Sequence, residues 1–119
     1  MPCIHRFGII DCLEEYTEDE FDPEKYNCTC LDHDFLGEIY HAGFKDKIEK
    51  LETFFHNTNK PSKDLAYYGI TLIPPKSLKY FLNIIVEENV KYKSKELEML
   101  IEKISTAMKA NKWMIHYGI

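Results

Sequence analysis

A chain of 119 residues with 45% hydrophobic side chains, seven Phe, eight Tyr and one Trp can bury one core without staples, which excludes a disordered chain. Its formal charge of −5 is uneven: the first 38 residues carry eleven acids against Arg6 and Lys25, a net of −9, whereas the rest carries thirteen lysines against nine acids, a net of +4. The acidic block would repel phosphate, which argues against nucleic acid, and no apolar run approaches the ~20 residues that span a bilayer.

The opening Met-Pro-Cys-Ile-His-Arg lacks the charged start, apolar stretch and small-residue site of a signal peptide, so one cytoplasmic domain over residues 1–119 is expected. Residues 3–10 are β-branched and aromatic and read as a strand. Residues 11–24 lose any apolar period, hold eight of the acids and contain Pro23, so they read as an exposed loop with room for a helical turn at 13–16. Residues 26–31 alternate Tyr26, Cys28 and Cys30 on one face with Asn27 and Thr29 on the other, a strand signal. Asp32 or Asp34 then caps a short helix through Tyr40, because a side-chain oxygen there accepts from an otherwise orphaned backbone N–H.

After Gly43 the spacing of Phe44, Ile48, Leu51 and Phe55 predicts an amphipathic helix of about three turns. Residues 57–64, with Asn59, Pro61 and Ser62, read as a turn-rich connection. Residues 65–73 are short and almost wholly apolar or β-favouring, which predicts a central strand buried on both faces. Pro74-Pro75 opens a helix whose face is Leu78, Phe81, Leu82 and Ile85, reaching about Glu88. Ser94 caps the strongest helix, with Leu97, Leu100, Ile101, Ile104 and Met108 in register and Asn111 as its stop. Residues 113–119 close the sequence as a strand. The fold class expected is α+β, one small three- or four-stranded sheet packed with about four helices.

The densest group of chemical side chains is Cys28, Cys30, Asp32, His33 and Asp34, all ligand types that zinc accepts. Cys-x-Cys-x-x-His supplies three ligands from one segment, without a second Cys/His pair at finger spacing, and two cysteines on one strand face suit packing equally. The thiols are read as reduced. His116, between Ile115 and Tyr117, reads as a partly buried, hydrogen-bonded strand residue rather than a base. Neither a phosphate-cradling glycine motif nor a Gly-x-Ser-x-Gly elbow occurs. No catalytic residue, metal ligand or cofactor is therefore assigned. A small thiol- or metal-dependent hydrolase centred on Cys28, Cys30, Asp32 and His33 is the rival reading, and a homo-oligomeric structural or regulatory subunit is a third.

The acidic segment is the leading candidate for function. Tyr16, Phe21 and Tyr26 interleave with its carboxylates, and aromatic anchors ringed by charge are the composition of an interface hot spot. The expected contact surface for a basic protein partner is Glu14, Glu15, Tyr16, Glu18, Asp19, Glu20, Phe21 and Asp22.

Three stretches, Arg6-Phe-Gly-Ile9, Tyr68-Gly-Ile-Thr-Leu-Ile-Pro-Pro-Lys-Ser-Leu78 and Ile115-His-Tyr-Gly-Ile119, resemble small uncharacterised proteins of Gram-positive bacteria of the polymorphic-toxin immunity type. That resemblance implies a cytosolic protein that binds and blocks a cognate toxin, often a basic nuclease. It carries over no functional residue.

Overall fold

Alternating side chains give the two faces of a single antiparallel sheet different surroundings. The structure, a computed structural model, describes residues 4–11, 13–16, 26–66 and 69–118. Its strands are β1 (Ile4–Ile10), β2 (Thr29–Asp32), β3 (Glu52–Phe55), β4 (Pro61–Lys63), β5 (Ile70–Ile73) and β6 (Trp113–Tyr117), in the order β2-β1-β6-β5-β3-β4. Every neighbouring pair is antiparallel. On one face Phe7, Leu31, Ile73 and Met114 join a core with residues of α1 (His33–Ile39), α2 (Lys45–Ile48), α3 (Pro75–Tyr92) and α4 (Lys95–Ala110). On the other, Ile10, Ile70, Leu72, Ile115 and Tyr117 form a second cluster, covered by Leu13, Tyr16, Tyr26, Cys28, Phe54 and Trp113.

Local chemistry sets the helices. The Asp32 carboxylate accepts from Phe35 N–H at 3.0 Å and starts α1. Helix α1 runs through the wider turn Tyr40–Phe44 into α2, bending at Gly43, whose φ of 118° suits a residue without Cβ. Pro75 opens α3, Ser94 Oγ accepts from Leu97 N–H at 3.3 Å to start α4, and Asn111 ends α4 in a left-handed conformation with φ 54°. Leu97, Leu100, Ile104 and Ala107 are the buried stripe of α4, and each large apolar side chain so buried contributes about 1.5–3 kcal/mol. Among the described residues no helix is long and apolar enough to cross a membrane.

Among the described residues, the expected sheet is corrected from three or four strands to six, and the four helices to three α-helical bodies, since α1 and α2 are arms of one bent stretch. The error lies in residues 44–63. Phe44 and Ile48 are buried helical positions, but the helix ends there and Leu51 caps the core from a turn. Thr53, Phe54 and Phe55 instead form β3, where Phe54 faces Leu72 of β5, so strand pairing overrides a coincidental helical spacing. β4 is exposed throughout and contains Pro61, so it carries no apolar signal in sequence. Of the strand expected over 65–73, Ile70–Ile73 form β5, which is central with all four residues buried, and residues 67–68 lie outside the described residues.

Candidate functional site

The sheet's helix-side face carries a chain of three histidines. Register places His116 opposite Phe7 of β1 and Thr71 of β5. A strand's period of two puts His5, two residues before Phe7, on the same face and diagonal to His116. His33 follows the Asp32 cap as the first residue of α1, which turns it over the end of β1. The result is a continuous line: His116 Nε2 lies 2.8 Å from His5 Nδ1, and His5 Nε2 lies 2.9 Å from His33 Nδ1. At the buried end His116 Nδ1 is 3.5 Å from Thr71 Oγ1, which accepts the Ala66 N–H at 2.7 Å.

Burial fixes the charge of this line. His5 and His116 are 3% and 0% exposed. Desolvation, and then the neighbouring imidazole, lower His5 to about 4 and His116 to about 3. Both are neutral at neutral pH. A neutral imidazole donates from one nitrogen and accepts at the other, so donation runs in one direction along the whole line.

His5 and His33 line a pocket of about 380 Å³ together with Leu36, Tyr40, His41, Phe44, Ile48, Asp64, Leu65 and Ala66. Its one carboxylate is Asp64. The Asp64 backbone is held in a left-handed conformation, φ 68°, by two bonds: its N–H donates to the Leu51 carbonyl at 3.0 Å, and its carbonyl accepts Thr53 Oγ1–H at 2.9 Å. Its carboxylate accepts the Leu65 N–H at 2.6 Å and the Tyr40 hydroxyl at 3.3 Å. Burial raises the Asp64 carboxyl above the ordinary carboxylate range, and these two donors pull it part of the way back. Burial and the adjacent Asp64 also raise the Tyr40 hydroxyl, which therefore stays protonated as the donor.

The sequence-predicted residues are distributed differently. Cys28 and Cys30 do share a face, but it is the outer one: Cys28 packs on the second cluster and Cys30 is exposed opposite Arg6. His33 turns to the helix side, so the sheet separates the thiols from the imidazole. Desolvation, then the Cys30 neighbour, push the Cys28 thiol up to about 11, the reverse of what a nucleophile needs. Asp32 is spent on its cap and Asp34 is exposed. Among the described residues no group of three or more His, Cys, Asp or Glu is placed to hold a metal ion. His116 is buried and hydrogen-bonded.

Of the acidic segment, Glu18, Asp19, Glu20, Phe21 and Asp22 lie outside the described residues, as does the side chain of Glu15. Glu14 is exposed. Tyr16 turns inward: it packs on the second cluster and its hydroxyl donates to the His56 carbonyl at 2.6 Å. Tyr26 and Cys28 lie over Gly8, where an added Cβ would meet Cys28 Sγ and Tyr26 Cβ at 2.7 Å each. The segment is thus tied to the outer face at both ends.

The histidine line and the Tyr40–Asp64 pair were not assigned from sequence. His5 and His116 stand 111 residues apart, and only the β1–β6 register joins them. The one local sign was an imidazole at an apolar strand position in each.

No protein-family model, curated protein or solved structure matches this chain.

Proposed function

We propose that this chain is a non-enzymatic binding protein, an immunity-type inhibitor that docks a basic protein partner through its acidic segment. The observation that carries the reading is the charge division: a net of −9 over the first 38 residues against +4 over the remainder. The anchoring of that segment by Tyr16 at one end and Tyr26 and Cys28 at the other supports it, because ends held on the sheet lower the ordering cost of docking. Complementary potentials then steer encounter and reject partners of the wrong charge. Cys28 packing on the outer cluster while His33 lines the helix-side pocket favours this reading over the hydrolase one.

The test is association kinetics with the basic domain of a toxin encoded beside this chain. Changing Glu14, Glu18 and Glu20 together to Lys should slow association by about tenfold or more at low salt and flatten its dependence on ionic strength. Association unchanged at low salt removes the acidic segment from the docking surface.

A further inference from the structure

The pocket lies on the helix side of the sheet, opposite the face on which Tyr16, Tyr26 and Cys28 pack, so it can be considered by itself. At about 380 Å³ the pocket falls in the range of small-ligand sites, and Leu36, Phe44, Ile48, Leu65 and Ala66 give it apolar walls. Asp64 is the one Asp, Glu, Lys or Arg among its lining residues, and burial partly desolvates it. A desolvated carboxylate calls for a counter-charge. Among the described residues no Lys or Arg forms an ion pair with it: Lys45 acts only at longer range, and Glu49 opposes Lys45. Its direction is fixed by the left-handed backbone, pinned to Leu51 on one side and Thr53 on the other. Tyr40 and Phe44 are also among the lining residues, and aromatic side chains attract cations.

The lining sets the sign of the ligand. Both ring nitrogens of His5 are committed, one to His116 and one to His33, and burial keeps that ring neutral, so it neither offers a charge to an anion nor repels a cation. The lining holds no Lys or Arg, and beside the imidazoles of His33 and His41 its one carboxylate, Asp64, would repel an anion. We propose that this pocket is a binding site for an ammonium or guanidinium head on a short apolar stem, the head ion-paired with Asp64 and the stem against Leu36, Phe44, Ile48 and Leu65. That chemistry is shared by a free alkylamine and by the Lys or Arg side chain of a protein partner.

Titration of the full chain with n-butylammonium at about pH 8, where a carboxylate is ionised, tests the assignment by amide and side-chain chemical shifts. The expected result is a saturable shift confined to Tyr40, Leu65, Ala66 and their neighbours, with uncharged n-butanol binding about tenfold or more weaker. Asp64→Asn keeps an acceptor for the Leu65 N–H, tolerates the left-handed backbone, and should lose about tenfold or more of the amine affinity. Equal binding of n-butanol and n-butylammonium to the unaltered chain overturns the proposal, as does an unchanged amine affinity in Asp64→Asn or no shift with any probe. Nα-acetyl-lysine methylamide separates the sources: affinity equal to or above that of n-butylammonium supports a protein side chain, and weaker affinity supports a free amine. The Glu14, Glu18 and Glu20 to Lys variant should bind n-butylammonium unchanged, so failure at the acidic segment and failure at the pocket read out separately.

Discussion

At the scale of single residues, the neutral histidines make stability depend on acid. The sign follows from linkage: folded His5 and His116 stay unprotonated down to about 4 and about 3, whereas the unfolded chain takes up protons below the ordinary histidine value of 6.5. Their contribution is complete above about pH 6.5 and is lost as the pH falls through the range from there to about 4 and then 3. At ~1.4 kcal/mol per pKa unit, the shift of His5 alone corresponds to on the order of 3 kcal/mol. Urea unfolding followed from pH 7 to pH 4.5 should therefore show a steep loss of stability, about half of which His116→Phe removes. At pH 7 that variant leaves His5 Nδ1 buried without its partner, at a cost of about 1–3 kcal/mol. A flat stability profile over the same range would show that the imidazoles are hydrated in solution. Proton-coupled nitrogen spectra offer a direct check, since both rings should keep neutral-tautomer shifts at pH 5.5, about one unit below the ordinary histidine value.

At the scale of elements, what could be read from sequence divides by the range of the interaction that forms each piece. Ser94 and Asp32 were legible as caps because a cap is made within three residues, by a side-chain oxygen and a nearby N–H. Ser94→Ala should cost about 1 kcal/mol, measured as a shift in the unfolding midpoint without a change in slope. Pro75 and Asn111 were legible for the same reason. β3 was not, because Phe44, Ile48, Leu51 and Phe55 have helical spacing while the pairing of Phe54 with Leu72 lies 18 residues along the chain. β4 was not either, since an exposed edge strand ending in Lys63 has no buried face to impose a pattern. The candidate pocket was the least legible part of all. It needs Tyr40 from the bend after α1, Asp64 from the loop after β4 and His5 from β1, and only the closed fold brings these three together.

At the scale of the whole molecule, the sheet has helices on one side and, among the described residues, Leu13, Tyr16, Tyr26 and Cys28 packed on the other, and Gly8 governs how closely Tyr26 and Cys28 can approach. Gly8→Ala would thrust a methyl group into Cys28 and Tyr26, with the Tyr26 carbonyl oxygen only 2.9 Å away. The expected cost is about 1–3 kcal/mol. Hydrogen exchange should quicken at Ile9, whose N–H donates to that carbonyl at 3.4 Å, while the helix-side core keeps its protection. Uniform loss of protection would mean that this outer packing and the core unfold as one unit.

The position of β6 has a further consequence, for the order of events during synthesis. β6 lies between β1 and β5, so in the sheet the pair β2-β1 and the trio β5-β3-β4 touch only through it. Of the described strands it is also the last to leave the ribosome. Until it arrives, the two part-sheets face one another across a missing strand, with the unpaired rims of β1 and β5 carrying Phe7, Ile10, Leu72 and Ile73. Such rims are templates for pairing with other chains. A polypeptide interrupted before residue 113 is thus not a slightly shortened protein but two half-sheets, each with a sticky side.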